Sequence, residues 1–96
     1  MATDVVVLPQ SMVEIRTHFV DFAPDIPDGV TVATVTAEHV PSSGIATTPT
    51  VSMAQKPLIG VTLGPVGVLG VHTLIILATL SDGEKIEARL RIPVNV

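Results

Sequence analysis

Residues 71–94, VHTLIILATL-SDG-EKIEARLRIPV, decide the fold. Lys85, Glu87, Arg89 and Arg91 alternate with Ile86, Ala88, Leu90 and Ile92, a period of two that puts the charges on one face of a strand and the aliphatic groups on the other. The preceding stretch, Val71 to Leu80, is bounded by Gly70 and by Ser81-Asp82-Gly83 and reads as the partner strand. Asp82-Gly83 fits a two-residue type I′ turn, and Ser81-Asp82-Gly83 fits a type I turn closed by glycine at a bulge. Either turn makes a hairpin.

Working outward, the rest of the chain carries the same signature. Of 96 residues, 16 are Val, 11 Thr and 8 Ile, and such β-branched side chains are stiff at χ1 and suit a pleated surface. Met12 to Phe22 alternates, with Val13, Ile15 and Phe19 on one face and Glu14, Arg16 and His18 on the other, and reads as a first half-buried strand. Ala23-Pro-Asp-Ile-Pro-Asp-Gly29 is a loop, because each proline fixes φ and biases its predecessor away from the helix. In Val30 to Thr36 the apolar positions fall at 30 and 32 and then at 33 and 35, so the strand either carries a bulge or leaves the core in its second half. Pro41-Ser-Ser-Gly44 is a turn, and Ile45 to Pro49 a loop or short edge strand. Val51–Gln55 and Leu58–Leu63 are short strands separated by Lys56-Pro57, and Gly64 to Gly70 is a turn region. The expected architecture is all-β, an immunoglobulin-like antiparallel sandwich of about seven strands, with residues 1–10 as an N-terminal arm and 11–96 as one domain.

Length and charge limit the functions open to the chain. Ninety-six residues make one domain, since two would each lie near the lower limit of independent folding. Five basic against nine acidic residues give a net charge of −4 and repel phosphate backbones and anionic bilayers, so no nucleic-acid partner is expected. The two phenylalanines, without tyrosine or tryptophan, leave almost nothing for bases to stack on. There is no cysteine for a disulfide, a thiolate metal site or a cysteine nucleophile. The three histidines, His18, His39 and His72, lack the spacing of a helical metal pair and read as a chance spread. Asp21, Asp25 and Asp28 crowd one loop without the alternating pattern of a calcium loop, and read as solvated turn residues. Gly64, Gly67 and Gly70 lack the Lys-Ser/Thr ending of a phosphate loop and read as turn residues. No nucleophile elbow or tuned carboxylate pair is present, so neither enzymatic activity nor a cofactor is expected.

Charge is scarce. Charged residues are 15% of the chain, against roughly 25% in a typical soluble domain. Mean hydropathy is +0.62. The deficit points either to a membrane segment or to a surface buried against other chains. Leu58 to Leu80 has no formal charge and is long enough to span a bilayer. Its five positions Gly60, Gly64, Pro65, Gly67 and Gly70, and its lack of basic flanks, argue against a helix there, and no membrane partner is expected. Met1-Ala-Thr-Asp4 has no positive n-region, which implies a product that stays in the cytosol. The protein-contact reading rests on Val71 to Leu80, apolar on both faces, of which only one can meet the core of a two-layer sandwich. Leaving two leucine-sized side chains bare forfeits about 3 to 6 kcal/mol, comparable to a small domain's whole stability. We therefore expect an interface built from Leu74, Ile76 and Leu80, joined by Val5 and Val7 of the N-terminal arm. The alternative is that the arm or the Gly64–Gly70 loop folds over this face within one chain.

The order of elements Met12–Phe22, Val30–Thr36, Gly64–Gly70, Val71–Leu80, Ser81-Asp82-Gly83 and Glu84–Val94 resembles that of the small immunoglobulin-like proteins of tailed bacteriophages of the fibre–tail adaptor type. The resemblance covers most of the chain from Met12 onward and lies in strands and turns. It implies a virion structural protein, made in the host cytoplasm. Its partners would be other virion proteins and copies of itself, and its function the joining of tail or fibre components. Head decoration or cementing is an alternative. An adhesion or ligand-binding sandwich using the Asp21–Gly29 loop is another, from a different class.

Overall fold

A computed structural model of the chain describes residues 2–6 by their backbone and residues 9–95 in full. Among them run β1 (Ala2–Val6), β2 (Gln10–Ser11), β3 (Arg16–Asp21), β4 (Val32–Val40), β5 (Thr50–Gln55), β6 (Leu58–Leu63), β7 (Gly70–Leu80) and β8 (Lys85–Asn95), with a 3-10 turn at Ala23–Asp25. The hairpin takes the second of its two possible turns. Leu80 N–H donates to the Glu84 carbonyl at 2.7 Å and Gly83 N–H to the Leu80 carbonyl at 3.0 Å, closing a loop over Ser81-Asp82-Gly83. Gly83 sits at φ +91°, where a side chain would be strained. Leu74 then faces Leu90 and Ile76 faces Ala88 across the ladder, so the even-numbered residues of both strands share one face.

β7 and β8 are the centre of one sheet. β4 lies antiparallel along β7, while β1 and β2 add in turn to the far edge of β8. The second sheet is β3-β6-β5, antiparallel throughout. In the lettering of an immunoglobulin domain, β3 to β8 stand where strands B to G stand, so the class is an immunoglobulin-like sandwich. Strand A is split into β1 and β2 and lies against strand G instead of strand B. Both segments run parallel to β8, so the sheet is mixed where an antiparallel sandwich is expected from sequence. The segment read as a separate arm is thus an edge of the sandwich.

The core sits between Leu74, Ile76, Leu90 and Ile92 of the first sheet and Ile59, Val61 and Leu63 of the second, all fully buried. This corrects the expected interface. Leu74 and Ile76 are 0% exposed and Leu80 2%, because the even-numbered face of β7 is the face turned to the second sheet. They hold the domain together and cannot meet a partner. Val5 lies in backbone register with Leu90, and Val7 lies outside the described residues. The other face of β7 is half-covered by its own neighbours. Ile75 lies between Glu38 and Arg89 and Leu77 between Thr36 and Glu87, and long charged side chains lay their aliphatic stems over such positions. Arg89 and Glu87 are themselves paired at 3.1 Å.

Two strand readings resolve differently. The apolar shift in β4 is a bulge, since pairing with β7 slips between Val32 and Thr34 and returns Val35 and Ala37 to the core side. The first strand is shorter than its alternation and is inverted. Ser11 to Glu14 forms a turn, with Glu14 N–H on the Ser11 carbonyl and Ser11 N–H on Glu14 Oε1. Beyond that turn Val20 packs on the core and Phe22 is buried, whereas Val13, Ile15 and Phe19 are exposed.

Candidate functional site

The charge deficit has a location. From Val40 to Leu80 the only charged residue is Lys56, and this span comprises β5, β6, β7 and the connections 41–49 and 64–69. Register places the starts of β5 and β7 and the ends of β2, β4, β6 and β8 at one end of the sandwich. That end carries Val13 (84% exposed), Ile45 (88%), Ile15, Leu69 and Val71. Glu14 and Arg16 at that end are paired with each other at 3.0 Å. The bond from Ser11 N–H, helped by Arg16, holds the Glu14 carboxyl below the usual carboxylate range. The opposite end, where β3, β5 and β7 finish, bears Asp21, Asp25, Asp28, Asp82 and Glu84 against Lys56 and Lys85. Asp21 Oδ1 accepts from Ala23 N–H, an ordinary turn bond. Among the described residues no three of His, Asp and Glu converge on a metal-sized space.

The uncharged end continues onto the outer face of the three-stranded sheet. There the Phe19 ring lies across Gly60, where an added Cβ would come within 3.0 Å of the ring and of the Thr17 methyl. Glycine at 60 is what lets the ring lie flat on the backbone. Thr17 and Thr62 hydroxyls bond at 3.0 Å, and Ser52 and Ala54 complete a shallow groove of about 300 Å³. Thr62 also lines a second groove, of about 480 Å³, at the uncharged end between segments 41–49 and 64–69.

Two histidines lie in the wall of that larger groove. β4 and β7 pair so that His39 is level with Leu74, which brings its ring onto His72 with centroids 5.1 Å apart. His72 is 1% exposed. Its Nε2 lies 2.7 Å from the Val68 carbonyl, which can only accept, so Nε2 carries the proton and Nδ1 is free to accept. His39 Nε2–H then donates to His72 Nδ1 at 2.8 Å. His39 also pairs through its backbone with Thr47 in both directions. The two rings thus tie both uncharged loops to the sheet. Burial, and secondarily the neighbouring His72, lowers the pKa of His39. Spacing along the chain gave no sign of this pair, because the crossing of two strands 33 residues apart creates it.

The third histidine has a structural partner too. Gln10 is 1% exposed and donates from Nε2 to the carbonyls of Glu14 and Leu63, while its Oε1 accepts from His18 Nε2 at 2.9 Å. One side chain from the strand along β8 therefore pins the opposite sheet at the uncharged end. Burial, and after it Arg16, lowers the His18 pKa. The uncharged stretch 58–80 is spent on β6, a loop and β7, and no helix among the described residues is long and apolar enough to cross a membrane.

No family model and no curated protein matches the chain. Among solved structures, that of Listeria monocytogenes InlP is similar, with a TM-score of 0.57 at 13% identity. The match covers 96% of this chain and 26% of that one, so the present sandwich corresponds to a minor part of the other's length. At this identity the likeness is one of fold.

Proposed function

We propose that the chain is a non-catalytic assembly module of a bacteriophage particle, seated between tail or fibre components. The observation that carries this reading is the continuous surface without unpaired charge that runs from Phe19 and Gly60, over Thr62, to Ile45 and Leu69. Monomeric proteins seldom leave such a surface to water, and packing against neighbouring subunits is what it suits. The phage setting comes from the resemblance in strand order, which favours the tail or fibre over the head. Recurrence of the module in several copies makes each modest contact effective.

The test is incorporation into particles. Ile45→Lys and Phe19→Asp should each reduce the copies found in purified particles about ten-fold or more, the effect of ~1.4 kcal/mol per contact. Lys85→Glu, on the charged face of β8, should leave incorporation unchanged. Normal incorporation of both surface variants would end the reading. A ligand-binding sandwich is favoured by one observation, the groove of about 480 Å³ beside His39 and His72.

A further inference from the structure

We propose that Asp28 is a site of spontaneous backbone isomerisation, a reaction that the sequence offers at two places and the fold directs to one. The chain holds two Asp-Gly pairs, Asp28-Gly29 and Asp82-Gly83, both in exposed turns. The glycine nitrogen of such a pair can attack the aspartate Cγ, because the glycine carries no β-carbon to block the approach. The new N–Cγ bond closes a five-membered succinimide, and the carboxyl hydroxyl and the amide hydrogen leave as water. Water then adds back. Breaking the ring between nitrogen and Cγ restores aspartate, whereas breaking it between nitrogen and the backbone carbonyl carbon leaves the chain running through Cβ and Cγ, as isoaspartate. Water is the sole co-reactant, and the mass is unchanged.

Space does not separate the two pairs. A Cβ built on either glycine would meet nothing within 4 Å, and both glycines hold a positive φ, +81° at Gly29 and +91° at Gly83. The bonds at the reacting atoms do separate them. Gly83 N–H donates to the Leu80 carbonyl at 3.0 Å, and Asp82 Oδ1 accepts from Glu84 N–H at 3.0 Å, so both the attacking and the attacked group are held. These bonds must break before Gly83 N can reach Asp82 Cγ, in a turn clamped between the paired strands β7 and β8. At the other pair one bond spans the turn, from Val30 N–H to the Pro27 carbonyl at 3.1 Å, and it engages neither reacting atom. With Gly29 at φ +81° and Asp28 outside the left-handed region, this is a type II turn. Among the described residues, Gly29 N–H and the Asp28 carboxylate have no hydrogen-bond partner. The turn lies in the loop between β3 and β4, outside both sheets, where local opening costs least.

Ageing the whole purified chain at neutral pH and body temperature tests this. A glutamate-specific protease separates the pairs into residues 15–38 and 39–84, and electron-transfer fragmentation tells isoaspartate from aspartate at equal mass. Isoaspartate should accumulate at position 28 about ten-fold or more faster than at 82, the effect of the two bonds held at the second site. In guanidinium chloride, where both turns are lost, the two pairs should convert at similar rates. Asp28→Glu, whose ring would need six members, should stay unmodified at 28 and keep the wild-type circular dichroism. Conversion at 82 as fast as at 28 in the native chain would overturn the proposal. A ratio between the two sites that guanidinium leaves unchanged would overturn it equally, since the preference would then belong to the neighbouring residues and not to the fold. So would a native chain in which position 28 forms no isoaspartate in the time the denatured chain does.

Discussion

At the scale of single residues, two part-buried polar contacts, His39 with His72 and His18 with Gln10, make the protein sensitive to acid. His39 and His18 both have pKa values below that of a free imidazole, in each case chiefly through burial. The unfolded chain therefore binds protons that the native chain refuses, and stability rises with pH wherever that difference exists. Full stability is present above the ordinary histidine pKa of about 6.5 and is lost progressively as pH falls below it. Urea unfolding at pH 7.5 and 5.5 should show a lower midpoint at the acid value, and His39→Phe should shrink the difference. Gly64 is the residue least open to change. It sits at φ +120°, and a Cβ there would meet the Glu14 carbonyl oxygen, a backbone atom with nowhere to move. Gly64→Ala should cost roughly 2 to 5 kcal/mol by combined strain and overpacking, read as a fall in the urea midpoint.

At the scale of elements, the N-terminal strands deserve to be counted as part of the sheet. β1 covers the open edge of β8 over Glu87 to Arg91, and β2 closes it at Val94 and Asn95. A long uncovered edge invites pairing with other chains. Deleting residues 1–6 should leave a folded sandwich, since Gln10 and its bonds to Leu63 and His18 remain, but one that aggregates on heating at a lower temperature than the full chain. Light scattering during a thermal ramp reads this directly. The hairpin shows how far local sequence goes. Alternating charge in β8 and the glycine at 83 specify the strand, its faces and the turn. They leave open which face of β7 is inside, because both are aliphatic.

At the scale of the whole molecule, the sandwich is polar from end to end in its charge. Acidic loops crown one end and uncharged loops the other, and segments 41–49 and 64–69, which carry no charged residue, build the second. The exposed groups of that end carry little of the fold's stability. Ile45→Lys, at a position 88% exposed, should shift unfolding by no more than about 0.5 kcal/mol while it lowers incorporation about ten-fold or more, which separates loss of assembly from loss of folding.

Residue pattern alone determined that this chain is all-β, where its last two strands lie, and that it has too little charge for its surface, because period-two alternation and turn chemistry are local properties of a strand. Tertiary pairing decided the rest. It sent Leu74, Ile76 and Leu80 into the core and Phe19 to the surface, brought His39 onto His72, and laid the N-terminal strands parallel to β8. Each depends on which strands become neighbours and in what register, and a one-residue shift of register exchanges the two faces of a strand without altering a letter of its sequence.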